Sequence, residues 1–317
     1  MVAVDGEGAF DILLGVGKIR WLFYSVGSTF MTHTPSPSPS GLHSTDHAGF
    51  VVTGLPAFND NYIWVVESMG GVSPQQVAVV DPGDAAPVID DCRRRGLVPQ
   101  QIWLTHHHAD HTGGVAELCE WIARQSPSLP VVVYGPASEA IPGVTQALGG
   151  GESLTFGGQQ VDVLSVPGHT RGHLAYVVGA ATAKPALFCG DLLFGLGCGR
   201  LFEGTAAQMH AALTQVRRLP AQTRVYCAHE YTLLNLPFAR AVDPQNPKLV
   251  ARAEVIRQLR DAGAPTVPLT LGEECATNPF LRCDQVALRA SAVVDQDAPD
   301  VDVFARLRQM RDTFKAH

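Results

Sequence analysis

A short run of residues carries five side chains of the kinds that bind metal ions in proteins, and four of them form a His-x-His-x-Asp-His pattern. The run His106-His107-His108-Ala109-Asp110-His111 follows segment 101–104, whose apolar residues predict a strand. The end of a strand fixes the directions of the side chains that come next. Imidazole nitrogens suit zinc or iron, and a neighbouring carboxylate lets a second metal ion share the site. The run therefore predicts a metal centre.

Three more side chains of the same kinds each follow a predicted strand. They are His169 in a Pro-Gly-His-Thr segment, Asp191 after Cys-Gly, and His229 before Glu-Tyr-Thr. A single histidine is more often structural than a ligand, so none of the three would be persuasive alone. Together with His106, His108, Asp110 and His111 of the run, they supply five histidines and two aspartates, which is enough for two metal ions.

Charge and hydropathy argue against nucleic acid and membranes as binding partners. The 317 residues carry a formal net charge of −7, so no overall basic field attracts nucleic acid or an anionic membrane. No apolar run reaches the roughly 20 residues that span a bilayer. We therefore expect a small-molecule substrate, no nucleic-acid or membrane partner, and a monomer.

The cysteines indicate the compartment. There are seven, at irregular spacings and without a Cys-x-x-Cys pair, which argues against a disulfide framework. An odd number of unpaired cysteines is typical of a reducing environment. We expect a cytoplasmic protein.

The order of predicted elements divides the chain into three parts. Residues 1–48 include a proline- and serine-rich linker and are expected to be a disordered leader, with Met31 as an alternative start of translation. Residues 49–229 alternate strands with helices and then continue with strands, which indicates a layered α/β domain. Beyond His229 the strands are expected to stop, and residues 230–317 predict a smaller helical domain.

The order of motifs resembles the metallo-β-lactamase superfamily and, within it, the glyoxalase II (hydroxyacylglutathione hydrolase) family. The resemblance covers residues 50–317 and includes Ala57-Phe58-Asn59-Asp60-Asn61-Tyr62, Val80-Asp81-Pro82-Gly83, Thr105 to Gly114, Gly197-Cys198-Gly199-Arg200 and His229-Glu230-Tyr231-Thr232. It implies an αββα sandwich followed by a helical substrate-binding domain. It also implies hydrolysis of S-(2-hydroxyacyl)glutathione thioesters, such as S-D-lactoylglutathione, in methylglyoxal detoxification.

The same resemblance assigns the ligands of two divalent ions, with zinc favoured and iron or manganese compatible. One ion is implied at His106, His108 and His169, and the second at Asp110, His111 and His229, with Asp191 bridging them. A hydroxide shared by the two ions would attack the thioester, and Asp110 and Asp191 are the expected catalytic carboxylates. His107 and His173 lie outside this ligand pattern, and Asp81 is expected to orient a ligand histidine from behind.

Substrate contacts are also implied by the resemblance. Arg308 and Arg311 match a basic pair that binds the glycine carboxylate of glutathione, and Arg200 and Tyr231 match further contacts. Phe202 departs from the family, which commonly has a tyrosine there, so we expect weaker glutathione binding.

Other readings of the sequence remain open. A mononuclear iron persulfide dioxygenase, or another thioester or lactone hydrolase, would share this fold. A metal-stabilised binding module without catalysis is the alternative outside the enzymes.

Overall fold

The computed structural model describes residues 43–69, 75–128 and 130–315. In this part of the chain, a seven-stranded sheet and a six-stranded sheet pack face to face, and helices cover the outer face of each sheet. This arrangement confirms the αββα sandwich expected from the sequence.

The first sheet is assembled in chain order. Its strands are β1 (His43–His47), β2 (Phe50–Ala57), β3 (Asn61–Ser68), β4 (Val77–Val80), β5 (Gln101–Trp103), β6 (Val132–Pro136) and β7 (Gln146–Leu148). Strands β1 to β4 pair antiparallel, whereas β4 to β7 run parallel. The parallel half therefore brings the ends of β4 and β5 to the same edge of the sheet.

Alternation along β3 explains why this sheet is covered on both faces. Ile63 and Val65 pack on the helices α1 (Ala85–Arg95) and α3 (Val115–Gln125), whereas Trp64 and Val66 pack into the core between the two sheets. Side chains of a strand point alternately to opposite faces, so a strand buried on both sides reads as a continuous apolar run.

Eight further strands follow β7 in the part of the chain that the structure describes. They are β8 (Ser153–Phe156), β9 (Gln159–Ser165), β10 (Leu174–Val178), β11 (Ala186–Gly190), β12 (Leu193–Phe194), β13 (Gly197–Cys198), β14 (Arg224–Cys227) and β15 (Leu269–Thr270). Six of them form the second sheet, in the order β15-β14-β11-β10-β9-β8. All pairs in this sheet are antiparallel except β11 with β14, which are parallel. The small hairpin β12–β13 stands apart from both sheets.

Helix α4 (Ala206–Arg217) covers the second sheet and was not expected from the sequence. Its start is a capping box, in which Thr205 and Gln208 satisfy each other's backbone amides. The Thr-x-x-Gln spacing is readable in the sequence and could have indicated this helix.

The segment after His229 is mostly helical, as expected, but it is not free of strands. Strand β15 pairs antiparallel with β14, with Val225 opposite Leu269. The expectation that strands stop at His229 is therefore wrong, and the C-terminal segment contributes the edge of the second sheet. The helices are α5 (Thr232–Val242), α6 (Pro247–Asp261), α7 (Leu271–Thr277), a 3-10 helix (Pro279–Leu281), α8 (Val286–Ala292) and α9 (Asp300–Thr313).

The expected leader ends too late. Residues 1–42 lie outside the described residues, but His43–His47 form β1 and pair with Phe50–Gly54 of β2. The His47 ring also hydrogen-bonds the Tyr226 hydroxyl at 2.6 Å. Residues 43–47 therefore belong to the folded domain, because their backbone groups complete the sheet edge. Among the described residues, no helix is long and apolar enough to cross a membrane.

Candidate metal centre

One group of ligand-type atoms combines the histidine run with residues distant in sequence. His106, His108, His169 and Asp191 each place one such atom within 4.8 Å of the others. His108 Nδ1 lies 3.0 Å from His106 Nε2 and 3.1 Å from His169 Nε2. Three ring nitrogens therefore converge on one point.

A second group contains Asp110, His111 and His229, again within 4.8 Å of one another. The Asp110 Oδ2 atom lies 3.6 Å from His111 Nε2 and 3.5 Å from His229 Nε2.

The Asp191 carboxylate lies between the two groups. Its Oδ2 atom is 3.2 Å from His169 Nε2, whereas its Oδ1 atom is 3.4 Å from His111 Nε2 and 3.3 Å from His229 Nε2. One oxygen therefore faces each group. All seven side chains that the sequence suggested as ligands are brought together in this centre.

The loops that carry these residues come from both sheets. His106 and His108 follow β5, and Asp110 and His111 lie in the short helix α2 (Ala109–Thr112). His169, Asp191 and His229 follow β9, β11 and β14 of the second sheet. Each group of ligand-type atoms therefore spans the two sheets.

Asp81 holds part of the centre from behind. Its carboxylate accepts hydrogen bonds from the Thr105 amide at 2.8 Å and hydroxyl at 2.7 Å, and its Oδ2 atom lies 2.9 Å from His111 Nδ1. Asp81 has a φ of 50°, in the left-handed region that aspartate tolerates better than most residues. The expectation that Asp81 orients a histidine of the run is confirmed for His111.

Other contacts fix the remaining side chains, and the sequence did not indicate their roles. Asp60 Oδ1 lies 2.7 Å from His229 Nδ1, and Asn61 donates to Asp110 Oδ2 at 3.1 Å. The carbonyl of Arg200 lies 2.9 Å from His169 Nδ1. A carboxylate or carbonyl behind a histidine fixes its ring orientation and tautomer. The Asp60 and Asn61 motif was visible in the sequence, but their partners were not.

His107 and His173 contribute no ligand-type atom to either group. His107 Nε2 lies 2.7 Å from Glu203 Oε1. His173 Nε2 accepts a hydrogen bond from the Asp191 amide at 3.2 Å, and its ring stacks on His106 with centroids 4.7 Å apart.

Electrostatics in the second group favour positive charge on its two histidines. Burial opposes ionisation of Asp191, but His229 and His111 hold the pKa of its carboxyl well below the usual range. Burial alone would lower the pKa of His229, yet the Asp191 carboxylate raises it to about 9. The pKa of His111 is likewise raised against burial by Asp191 and Asp81. Carboxylates that stabilise cationic histidines would also stabilise a divalent ion in the same place.

Two buried atoms test whether a metal ion fits here. Among the described residues, His111 Nε2 and Asp191 Oδ1 have no hydrogen-bond partner, although both are shielded from solvent. An unpaired buried polar atom is costly, and native proteins rarely keep one without a partner. A divalent metal ion would give both atoms a partner, and the donor set of imidazoles and carboxylates suits such an ion.

The expected substrate contacts line the same region. The Tyr231 ring stacks on His229 with centroids 4.6 Å apart and planes at 5°. Phe202 is 62% exposed, and its ring centroid lies 5.2 Å from that of His169. The Arg200 side chain is exposed.

Arg308 and Arg311 differ in their surroundings although both lie on α9. Arg308 is only 5% exposed and donates to the Cys198 carbonyl at 3.1 Å and to Asp312 at 2.8 Å. Arg311 is half-buried and donates to the Asn235 side chain at 3.2 Å. Burial lowers the pKa of Arg311, and the nearby cations Arg308 and Arg200 lower it further. The three guanidinium groups therefore form a local positive patch in an acidic protein.

Comparisons with known proteins match most of the described region. The sequence-family model of the metallo-beta-lactamase superfamily matches residues 58–229. The sequence-family model of the hydroxyacylglutathione hydrolase C-terminus matches residues 230–314. The hydroxyacylglutathione hydrolase of Dechloromonas aromatica is 49% identical and covers 82% of this chain and 98% of its own. The hydroxyacylglutathione hydrolase of Synechococcus sp. strain JA-3-3Ab is 52% identical, and the match covers 82% of this chain and 98% of that protein.

A solved structure supports the fold alone. A metallo-beta-lactamase from Staphylococcus aureus aligns with a TM-score of 0.51 and 19% identity, over 79% of this chain and 67% of that one.

Proposed function

The chain belongs to the hydroxyacylglutathione hydrolase family of the metallo-beta-lactamase superfamily, and on that basis we propose that it hydrolyses S-(2-hydroxyacyl)glutathione thioesters. S-D-lactoylglutathione is the substrate we favour, with D-lactate and glutathione as products. The main support for the proposal is the position of the Asp191 carboxylate between the two groups. Its Oδ2 atom faces His169 of the first group, and its Oδ1 atom faces His229 of the second.

Two divalent ions fit the two groups. We assign the first to His106, His108 and His169, the second to Asp110, His111 and His229, and Asp191 to both. Zinc is our preferred metal, and the same donors accept iron or manganese. When bound, such ions lower the pKa of a coordinated water towards neutrality and stabilise negative charge on the carbonyl oxygen.

Asp110 is the side chain of this chain best suited to direct the attacking water. Its carboxylate is 42% exposed, so it reaches the mouth of the centre. Its contacts with Asn61, His111 and His229 all use Oδ2. The other oxygen can accept a proton from water as the water oxygen bonds to the thioester carbon. The carbon–sulfur bond then breaks, and the thiolate leaves without needing a strong acid.

The positive patch of Arg200, Arg308 and Arg311 accounts for selection of a glutathione thioester. Glutathione carries two carboxylates, and an acidic protein must supply cations locally to bind them. Of the two arginines on α9, Arg311 is the better placed to meet a carboxylate directly, because it is half-buried whereas Arg308 is buried. Arg308 supports it by holding the Cys198 carbonyl beside the centre. The Tyr231 ring stacks on His229 and can contact the bound thioester there.

Metal analysis combined with a thioesterase assay tests the proposed function. We expect about two metal ions per chain and hydrolysis of S-D-lactoylglutathione without oxygen consumption. Asp110→Asn should bind the same thioester but turn it over far more slowly. One iron per chain with oxygen consumption would instead support a persulfide dioxygenase. Metal-bound protein without turnover would support a non-catalytic module.

The cellular setting is a further part of this proposal. Each of the seven cysteines is a free thiol, which suits a reducing cytoplasm. We also propose that the enzyme works as a monomer, which sedimentation analysis can test.

A further inference from the structure

Two exposed aromatic side chains border the candidate metal centre. Within residues 43–69, 75–128 and 130–315, Phe58 and Phe202 are the only aromatic residues among the strongly exposed large apolar side chains, at 54% and 62%. Phe202 lies beside the first group, with its ring centroid 5.7 Å from that of His108. An exposed apolar side chain is ordinary by itself, but a pair of rings at one site indicates a binding surface.

Phe58 lies beside the second group. It occupies the turn between β2 and β3, two residues before Asp60, and Asp60 and Asn61 contact His229 and Asp110 respectively. Its ring also packs at Gly83: a Cβ atom on Gly83 would lie 3.0 Å from Phe58 Cε2 and 1.9 Å from the Asp110 carbonyl oxygen. The ring therefore packs at Gly83, and Gly83 in turn lies against the backbone of Asp110, which faces the reaction.

The conformation of Phe58 is unfavourable on two counts. Its φ is 51°, in the left-handed region that costs a bulky residue roughly 1–2 kcal/mol. Its ring gains little from burial, because more than half of the side chain is exposed. Asparagine or glycine would suit this turn better. Residues held against local preference cluster at functional sites.

We propose that Phe58 is a specificity-determining residue that contacts the acyl group of the thioester and favours aromatic 2-hydroxyacyl groups. This inference rests on the proposed function. The positive patch and Tyr231 bind the glutathione part, so the acyl group extends from the carbonyl to the other side of the centre. Phe58 is the exposed apolar side chain at Asp110, and an aromatic ring there gains from an acyl phenyl ring.

The test compares two thioesters that differ only in the acyl group, S-mandeloylglutathione and S-D-lactoylglutathione. Phe58→Asn removes the ring but keeps a residue that tolerates positive φ. It should lower kcat/KM for the mandeloyl thioester about tenfold and change that for the lactoyl thioester less than about twofold. Phe58→Leu should lower the ratio of kcat/KM for the mandeloyl thioester to kcat/KM for the lactoyl thioester about threefold. Phe58→Tyr should preserve this ratio.

Val255→Ala is the matched control, because Val255 is similarly exposed at 53% and lies on α6. It should leave both rates unchanged. A ratio that stays at the wild-type value in both Phe58→Asn and Phe58→Leu, with lactoyl hydrolysis intact, overturns the inference but not the proposed function. A wild-type enzyme that hydrolyses neither thioester overturns both.

Discussion

The Asp81 carboxylate and the His111 imidazole are joined by a buried hydrogen bond of 2.9 Å between Oδ2 and Nδ1. In the neutral imidazole this bond places the proton on Nδ1, and the Nε2 lone pair is then available to a metal ion in the second group. Asp81 lies in the loop after β4 and His111 in α2, so their bond also joins two loops at one edge of the first sheet.

Asp81→Asn should weaken metal binding. Asparagine tolerates the left-handed backbone, but its amide cannot accept all the hydrogen bonds that the carboxylate receives from Thr105 and His111. We expect metal affinity or kcat to fall about 10- to 100-fold. Metal titration and steady-state kinetics would measure this.

Asp84→Asn is the control for that experiment. Asp84 lies in the same turn and caps α1 by accepting from the Ala86 amide at 2.9 Å, a role that asparagine performs equally well. Equal metal affinity in Asp81→Asn and Asp84→Asn would show that the bond to His111 is not needed.

Arg311→Ala should separate binding from stability. Loss of a charged hydrogen-bond donor to a substrate carboxylate should raise KM about tenfold and leave kcat and Tm nearly unchanged. Arg308→Ala should also lower Tm, because Arg308 is buried against Cys198 and Phe280. Arg306→Ala, at an exposed position of the same helix, serves as control. An unchanged KM in Arg311→Ala would argue against the carboxylate contact.

Phe202→Tyr should tighten binding of the glutathione thioester. The new hydroxyl restores a hydrogen bond worth roughly 0.5–1.5 kcal/mol, which corresponds to a two- to tenfold lower KM. Phe58→Tyr adds the same hydroxyl on the acyl side and should leave KM for S-D-lactoylglutathione unchanged. If both variants bind alike, the missing hydroxyl at Phe202 has no role in affinity.

Glu230→Gln should destabilise the fold. The buried Glu230 carboxylate accepts from the Tyr62 hydroxyl at 2.8 Å and the Thr266 amide at 2.9 Å, and lies 3.8 Å from Arg260. In glutamine an NH2 group replaces one carboxylate oxygen, and this NH2 group would face groups that themselves donate hydrogen bonds. The free energy of unfolding should therefore fall by about 2–4 kcal/mol. Urea denaturation would measure it. The exposed Glu273→Gln should change it by less than about 1 kcal/mol.

The sequence predicted the parts of the site that depend on local pattern. The strands before His106, Asp191 and His229 were recognisable from apolar runs, because a strand end and a ligand-type residue lie next to each other in sequence. Asp60 was different, since its partner His229 is 169 residues away and their contact depends on how the β2–β3 turn docks on the second sheet.

Helix α9 shows a second limit of prediction from the sequence. The sequence, by its resemblance to the family, predicted Arg308 and Arg311 as a basic pair, and both lie on α9. It did not indicate that Arg308 is buried against Cys198, because burial is decided by the neighbouring β13 and the 3-10 helix. Strand β15 was missed for a similar reason: two residues carry no periodicity, and only pairing with β14 makes them a strand.

Each group of ligand-type atoms draws on loops from both sheets, so a metal ion in either group acts as a cross-link between the two layers of the sandwich. Like a disulfide, such a link limits how far the layers separate, but it breaks when a chelator removes the ion. Resistance of this enzyme to heat should therefore depend on the free metal concentration around it, and purification in chelating buffer should yield a protein whose sheets separate more readily.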